Sequence, residues 1–145
     1  MSFFAVIGAQ SEGGRDHGQV EHGGARTDRI DQGEQVGRRF QQGDRDIYHY
    51  IDETERHVEH MRQLMRALGP NREEIGDIMT RLHGLLKNNV RCSTDVLDTC
   101  VTTAIQNGAL GAKLTGSGNG GCMFALVEKE HEEQVSLALQ NLPVR

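Results

Sequence analysis

The sequence predicts an α+β domain over residues 47–145, preceded by a segment of different composition. Three observations support this. Apolar residues recur at helical spacing in four segments, two short apolar runs have the character of strands, and every leucine of the 145-residue chain lies after residue 46. A chain of this length is enough for a single modest hydrophobic core.

The first 46 residues contain nine of the eighteen glycines and no Leu, Lys, Pro or Cys. After the apolar run Phe3–Ile7, which we predict to be a short strand, the stretch from Ser11 to Asp46 is mainly Gly, Gln, Arg, Asp and Glu. Such a stretch buries too little apolar surface to offset its ordering entropy. We therefore expect residues 1–46 to be disordered or irregular. A misread frame or gene-model join upstream of residue 47 is an explanation of equal weight.

Four helices are expected after residue 46. The first follows apolar residues from Ile47 to Leu68 and stops at Gly69-Pro70. The second runs from Arg72 to Lys87 and breaks at Asn88-Asn89. The third has N-cap candidates Ser93, Thr94 and Asp95, an apolar stripe from Val96 to Ile105 and a left-handed cap at Gly108. The fourth begins near Glu130 and ends before Pro143.

Two strands flank a glycine-rich loop in the remaining segment. Ala109–Leu114 and Cys122–Val127 are the predicted strands, and the second is a continuous apolar run typical of a buried strand. Between them, residues 116, 118, 120 and 121 are glycines. Glycine reaches positive φ without a Cβ penalty, and successive exposed amides in such a turn form an anion-binding concavity.

The residue types around this loop favour a phosphate or carboxylate ligand. Thr115 and Ser117 add hydroxyl donors, and Lys113 adds a positive charge. A mobile hairpin without function is the alternative that spacing alone leaves open. The loop is not a Walker loop, because no Gly-Lys-Ser/Thr follows the glycines, and it is not a dinucleotide fingerprint, because a strand rather than a helix follows.

The stretch Gly-Ala-Lys-Leu-Thr-Gly-Ser-Gly-Asn-Gly-Gly-Cys, residues 111–122, resembles the third, carboxyl-terminal motif of the GHMP kinases. Its Lys-Leu-Thr-Gly and Gly-Gly-Cys elements are most like those of mevalonate kinases. Residues 77–86 and 93–98 are similar to the helices that precede this motif in the family. The resemblance covers roughly residues 47–141.

This resemblance implies a ferredoxin-like carboxyl-terminal domain, with helices on one side of a small antiparallel sheet, and ATP- and Mg²⁺-dependent transfer of a phosphoryl group to a small alcohol. Mevalonate is the expected acceptor, with galactose or another sugar as the rival. A further alternative is a non-catalytic remnant that binds anions or a partner chain. The ATP- or substrate-binding loop would comprise Lys113, Thr115, Gly116, Ser117, Gly118, Gly120 and Gly121.

Two departures from the family pattern stand out. Asn119 occupies a position where glycine is more usual. The sequence also has no counterpart of the family's Gly-Leu-Gly-Ser-Ser-type ATP loop or of its catalytic Asp, so we expect no catalytic residue here and no turnover by this polypeptide alone. We expect an unfilled sheet edge, and hence association with the missing amino-terminal kinase domain or as a homodimer.

Other polar residues receive plainer interpretations. His49, Glu53, His57 and His60 share a helix face and could bind zinc, but a hydrated outer face is favoured. His83 and Cys122 are interpreted as packed side chains. Asp95 and Asp98 are explained by a helix amino terminus rather than by acid–base chemistry.

Composition limits the protein's class and surroundings. A net charge of −5 argues against a general nucleic-acid surface while leaving room for a local anion site. Three cysteines without metal-type spacing suit a reducing compartment. The amino terminus lacks the charge and length of a signal or membrane span. We therefore expect a cytoplasmic protein with neither a membrane nor a nucleic acid as partner.

Overall fold

The computed structural model describes residues 3–5, 24–116, 118–119 and 121–143, with side chains described from residue 33 onwards. The described elements are β1 (Phe3–Ala5), α1 (Gly24–Gln41), α2 (Arg45–Arg66), α3 (Arg72–Leu85), a π-helical turn (Leu86–Val90), α4 (Asp95–Gln106), β2 (Ala109–Thr115), β3 (Cys122–Val127), a 3₁₀ turn (Lys129–His131) and α5 (Glu132–Gln140). The predicted α+β class, with helices packed on a small antiparallel sheet, is confirmed.

Side chains cap three of the helices. Asp44 accepts a hydrogen bond from the Asp46 amide at the start of α2, at 2.9 Å. Asn71 does the same for α3, and Thr94, one of the predicted caps, accepts from the Leu97 amide of α4 at 3.2 Å. These bonds satisfy amides that lack partners in the first helical turn.

The helix boundaries follow the sequence prediction with one exception. Gly108 has a φ of 109°, as its predicted capping role after α4 requires. The predicted break at Asn88-Asn89 is wrong, because both residues lie within the π-helical turn. The chain leaves the helical path at Arg91 instead, where φ is 66°.

The sheet has the order β1-β3-β2, and both pairings are antiparallel. Ala125 at the middle of β3 lies between Ala5 of β1 and Ala112 of β2. The short strand predicted near the amino terminus is confirmed over Phe3–Ala5, while residues 6 and 7 lie outside the described part. Strand β1 therefore occupies the position beside β3 and is itself the outer strand on this side of the described sheet, so the expectation of an unfilled edge stays a prediction.

Two apolar clusters lie on opposite faces of the sheet. Met123 and Val127 join α4 and α5 in the larger cluster, together with Leu97 and Val135. Leu126 joins Ile75 and Met79 of α3 in the smaller cluster, with Met61, Leu64, Leu110 and Phe124 packed against it. Alternate side chains of a strand point to opposite faces, so a continuous apolar strand is buried on both. The expectation that helices cover one side only is therefore wrong.

Helix α3 lies along the outer edge of β2, and we call this contact the α3–β2 seam (Gly76, Thr80 and His83 against residues 110–114). A Cβ atom added to Gly76 would overlap the carbonyl of Leu110, and one added to Gly111 would overlap the carbonyl of Gly76. The Leu114 amide donates to His83 Nδ1 at 3.2 Å. Covering a sheet edge in this way leaves fewer backbone groups open to further pairing.

Helix α1 occupies residues 24–41 of the segment that was predicted to be disordered or irregular, so the prediction is wrong for these residues. Arg39 near its end donates to the carbonyls of Asn89 and Val90, at 2.8 and 3.2 Å, and pairs with Asp44 at 2.6 Å. These polar contacts join α1 to the π-helical turn, and no hydrophobic pattern reveals them. Residues 11–23 lie outside the described part, and the proposed domain boundary at residue 47 stays a prediction.

No described helix combines the length and the apolar composition needed to cross a bilayer.

Candidate functional site

The glycine-rich loop connects Thr115 at the end of β2 to Cys122 at the start of β3, two residues that pair across the strands. Its described residues all have positive φ: 80° at Gly116, 78° at Gly118, 53° at Asn119 and 101° at Gly121. Glycine adopts this conformation freely, and Asn tolerates it better than most residues. The backbone path therefore requires the described glycines of the loop, Gly116, Gly118 and Gly121.

A hydrogen bond fixes the tip of the loop to the rest of the domain. The Asn119 amide donates to the carbonyl oxygen of Cys92 at 2.7 Å. A Cβ atom added to Gly118 would overlap the same carbonyl. The loop is thus anchored at one point, while Gly116, Asn119 and Gly121 remain exposed to solvent. An exposed but anchored turn suits a binding role better than a mobile hairpin does.

Lys113 lies half-buried on β2 just before the loop. Its ammonium group donates to the carbonyl of Leu114 at 2.9 Å and lies 5.2 Å from the centre of the Phe124 ring. Burial lowers the pKa of Lys113, although the nearby Cys92 thiol opposes this. The flexible stem of lysine can carry this ammonium group to an anion that binds beside it.

A polar network lies behind the loop. His83 is 5% exposed and its Nε2 lies 3.0 Å from Oδ1 of Asp98. Asp98 also accepts from the Ser93 hydroxyl at 2.6 Å and pairs with Lys87 at 2.9 Å. The interpretation of His83 as a packed side chain is confirmed. The interpretation of Asp98 as a simple helix-terminal residue missed these three partners.

The charge state of this network follows from its surroundings. Burial lowers the pKa of His83, although its hydrogen bond to Asp98 works in the opposite direction. Burial by itself would raise the pKa of Asp98, but hydrogen bonds from Ser93, Lys87 and His83 lower it overall. A neutral imidazole beside an ionised carboxylate is therefore the state that the fold favours.

The structure brings the described candidate residues together at one end of the sheet: Lys113, Thr115, Gly116, Gly118 and Gly121. Ser117 and Gly120 lie outside the described residues. Binding of ATP or substrate by this group stays a prediction. Two surface grooves lie elsewhere, one along α2 and one between α1 and α2.

The remaining candidates take no part in this site. On α2, His60 pairs with Glu74 of α3 at 3.0 Å, and Glu53 pairs with Arg56 at 2.7 Å. Within the described part of the chain, no group of three or more His, Cys, Asp or Glu side chains is placed to hold a metal ion. The three cysteines are free thiols, and burial raises the pKa of Cys92 and Cys100.

Sequence reasoning missed the carbonyl of Cys92, which accepts from the Asn119 amide of the loop, and the polar network around Asp98. It treated Cys92 only as a thiol, whereas the structure uses its backbone carbonyl, which no side-chain pattern can indicate. Gly76 was also missed, although a glycine inside a helix is less favourable than alanine by about 1 kcal/mol and so indicates close packing.

Comparison with known families places this geometry in context. The family model described as "GHMP kinases C terminal" matches residues 54–144, which include α3, α4, the glycine-rich loop and α5. This match covers more than half of the chain.

Curated relatives divide between two kinds of kinase. Galactokinase from Streptomyces coelicolor is 37% identical over 95 residues, 66% of this chain and 24% of that protein. Galactokinase from Pyrococcus furiosus is 42% identical over 46% of this chain and 19% of its own length. Mevalonate kinase from Thermococcus gammatolerans is 46% identical over 42% of this chain and 18% of its own length. The chain thus spans a quarter or less of each of these relatives.

The solved structures that match this chain include mevalonate kinases and a galactokinase. Methanococcus jannaschii mevalonate kinase matches 87% of this chain with 27% identity and a TM-score of 0.64, and the match spans 35% of that chain. L. major mevalonate kinase in complex with R-mevalonate matches 83% of this chain with a TM-score of 0.71, spanning 36% of that chain. At 24% identity, the second match supports the fold alone.

Proposed function

Because the chain belongs to the GHMP kinase family through its carboxyl-terminal domain, we propose that it is the carboxyl-terminal part of an ATP-dependent kinase that phosphorylates a hydroxyl group of a small molecule. GHMP kinases use ATP. The observation that carries the proposal is the anchored, solvent-exposed turn of positive-φ residues between β2 and β3. Phosphoryl transfer depends mostly on positioning and charge stabilisation, and exposed amides in a fixed turn supply both.

In this proposal the loop amides face phosphate oxygens, and Lys113 supplies positive charge next to them. Thr115, exposed at the end of β2, adds a hydroxyl donor. Ser117 and Gly120 complete the loop by their position in the sequence. The catalytic carboxylate and the main ATP loop come from the amino-terminal kinase domain, so we assign no catalytic residue to this chain.

Mg²⁺ accompanies ATP in such reactions and is held largely by the phosphates themselves. The residues that the structure describes do not form a three-ligand group for a metal. We therefore assign none of them to Mg²⁺ and expect the metal to arrive with the nucleotide and its other domain.

Mevalonate is the acceptor that we propose first. The Lys-Leu-Thr-Gly and Gly-Gly-Cys elements of the loop support it, as does the likeness to mevalonate kinases, one of which is described in complex with R-mevalonate. Galactose is the second candidate, because a galactokinase aligns over a longer part of the chain than the mevalonate kinase reported above. A cytoplasmic location is part of the proposal, because three cysteines without metal-type spacing suit a reducing compartment.

Titration of the isotopically labelled chain with Mg·ATP tests the role of the loop. We expect amide shifts in the NMR spectrum to change at Gly116, Gly118 and Gly121, and to remain unchanged at Gly37 on α1, which serves as the internal control. A Gly118→Ala variant should weaken the response. A folded chain whose loop amides do not respond to ATP would favour the non-catalytic remnant.

Reconstitution separates the two acceptors. The chain is mixed with a separately expressed amino-terminal part of an archaeal mevalonate kinase or of a bacterial galactokinase, and ADP release is measured with mevalonate and with galactose. We expect ADP release with mevalonate. Release with galactose alone would replace the first acceptor by the second, and the chain without a partner should release none.

A further inference from the structure

The polar network behind the loop reaches both the strand that enters the loop and the tip of the loop. His83 Nδ1 accepts from the amide of Leu114, the residue just before Thr115. Ser93, which donates to Asp98, directly follows Cys92, whose carbonyl accepts from the Asn119 amide. Asp98 is bonded to both His83 and Ser93, so it is the point at which these two connections meet.

The hydrogen bonds define one arrangement of protons. Because the Leu114 amide donates to Nδ1 of His83, that nitrogen carries no proton, and Nε2–H donates to Asp98. Oδ1 of Asp98 accepts from both Nε2 and Ser93, while Oδ2 faces Lys87. A neutral His83 and an ionised Asp98 satisfy every one of these bonds at once.

The location of the network explains why it matters to the loop rather than to the fold in general. Asp98 lies on α4 and His83 on α3, so their contact joins the two helices that border β2. The seam is already held near its other end by the close approach of Gly76 to Gly111. The network acts at the end of β2 where the loop begins.

We propose that Asp98 and His83 are positioning residues for the glycine-rich loop. Asp98 couples the entry strand at Leu114 to the loop tip at Asn119, so that the loop amides face an anionic ligand in one fixed geometry. The identity of that ligand as a nucleotide phosphate rests on the proposed function. The coupling itself concerns only this chain and is measured without ligand.

Amide hydrogen exchange by NMR tests the coupling in the complete 145-residue chain. In Asp98→Ala, we expect Asn119 and Leu114 to exchange roughly tenfold faster, the factor that corresponds to loss of one hydrogen bond. In Asp98→Asn, the side-chain oxygen still accepts from His83 and Ser93, so most of the protection should return. Ile75→Val, in the smaller apolar cluster, is the control for general loss of stability and should leave Asn119 unchanged relative to the global exchange rate.

Two substitutions of His83 separate the connections. His83→Asn places an amide oxygen near the position of Nδ1 and keeps an acceptor for the Leu114 amide, but it does not reach Asp98. His83→Gln reaches towards Asp98 but loses the acceptor for Leu114. The proposal expects faster exchange at Asn119 in His83→Asn even though Leu114 stays protected, because the coupling passes through Asp98.

The outcomes are distinct. Equal acceleration at all amides in Asp98→Ala, or an unchanged Asn119 in His83→Asn, would overturn the proposal and leave the network a purely structural one. If Asp98→Ala does not fold, Asp98→Asn and His83→Asn carry the test. Faster amide exchange at Asn119 in the variants, without any response of the wild-type loop to ATP, would support the coupling and reject the proposed function. A loop that binds ATP equally in wild type and His83→Asn, with Asn119 unchanged, would reject the coupling alone.

Discussion

The α3–β2 seam and the glycine-rich loop use glycine for different physical reasons. At the seam, Gly76 and Gly111 are buried and leave no space for a Cβ atom. In the loop, Gly116 and Gly121 have open space around them, and their positive φ is what excludes other residues. Gly118 meets both conditions, since its φ is 78° and a Cβ would overlap the Cys92 carbonyl.

This difference shows that a glycine-rich motif and an isolated glycine carry different information. The loop glycines determine how the turn presents its amides, and their clustering makes them visible in a sequence. The seam glycines determine how closely a helix approaches a strand, and they are separated by 35 residues of chain, from position 76 to 111. The loop glycines belong to the candidate site itself. The seam glycines allow α3 to pack against β2, the strand that leads into the loop.

The largest expected effect is at the seam. Gly76→Ala and Gly111→Ala each place a methyl group against backbone that cannot move aside without shifting α3 from β2. We expect each to lower the free energy of unfolding by more than about 3 kcal/mol, the upper range for overpacking. Urea denaturation measures the change. Gly84→Ala, in the same helix with open space around it, is the control and should raise stability by about 0.5–1 kcal/mol. Equal effects at positions 76 and 84 would remove the steric account of the seam.

The loop offers a matched pair. Gly116→Ala tests positive φ alone and should destabilise by about 1–2 kcal/mol. Gly118→Ala adds the overlap with Cys92, so we expect a further loss of about 1–2 kcal/mol. Thermal unfolding of both variants gives the difference. Similar losses in the two variants would mean that the Cys92 carbonyl moves away easily and does not anchor the loop.

Substitution of Arg39 tests whether its distant contact with the π-helical turn supports the loop but not the α3–β2 seam. Arg39→Ala removes two hydrogen bonds to the carbonyls of the π-helical turn, which directly precedes the segment carrying Cys92. We expect a loss of about 1–2 kcal/mol and faster exchange at Asn119, with no change at Ala112 in the seam. The matched control is Arg38→Ala, because Arg38 is exposed and pairs only with the exposed Glu34 among the contacts described. Faster amide exchange at Ala112 in Arg39→Ala would show that the loop and the α3–β2 seam are not independent.

The smallest effect is a dependence on pH. Burial lowers the pKa of His83, whose surroundings include Asp98, Lys87 and Lys113. Below pH about 6.5 the unfolded chain binds a proton that the folded His83 resists, so stability falls as pH falls towards the folded pKa. The slope for one group is at most about 1.4 kcal/mol per pH unit. The lowered pKa of Asp98 adds a second loss as pH falls below about 4.

Denaturation at a series of pH values measures this dependence. His83→Asn should remove the slope in the region just below pH about 6.5 while keeping the one at lower pH. An unchanged slope in that variant would assign the effect to other histidines. A stability that rises on acidification would contradict the neutral state of His83.

The sequence predicted the elements that have a strong local signal. Apolar spacing gave α2, α3 and α4, the run Cys122–Val127 gave the buried strand β3, and Thr94 and Gly108 gave caps that the structure confirms. The loop was predicted together with its need for positive φ. These features succeed because a few neighbouring residues determine each of them.

The missed features depend on residues far apart in the chain. Helix α1 was predicted to be disordered because its residues are mostly polar, and one of its described attachments runs from Arg39 to carbonyls about 50 residues later. The network around Asp98 required three side chains from three other segments to meet it: His83 of α3, Lys87 of the π-helical turn and Ser93 of the stretch before α4. Neither hydrophobic periodicity nor a local motif describes a backbone carbonyl as a partner.

The sequence by itself determined that a glycine-rich turn with positive φ follows a strand, because glycine content and strand propensity act locally. Only the tertiary structure decided that the Cys92 carbonyl accepts from the Asn119 amide, that His83 and Asp98 meet near the end of β2 where the loop begins, and that Gly76 and Gly111 must both lack a side chain. The physical reason is that close packing and buried hydrogen bonds depend on the distance between segments, and the fold sets that distance after each segment has formed.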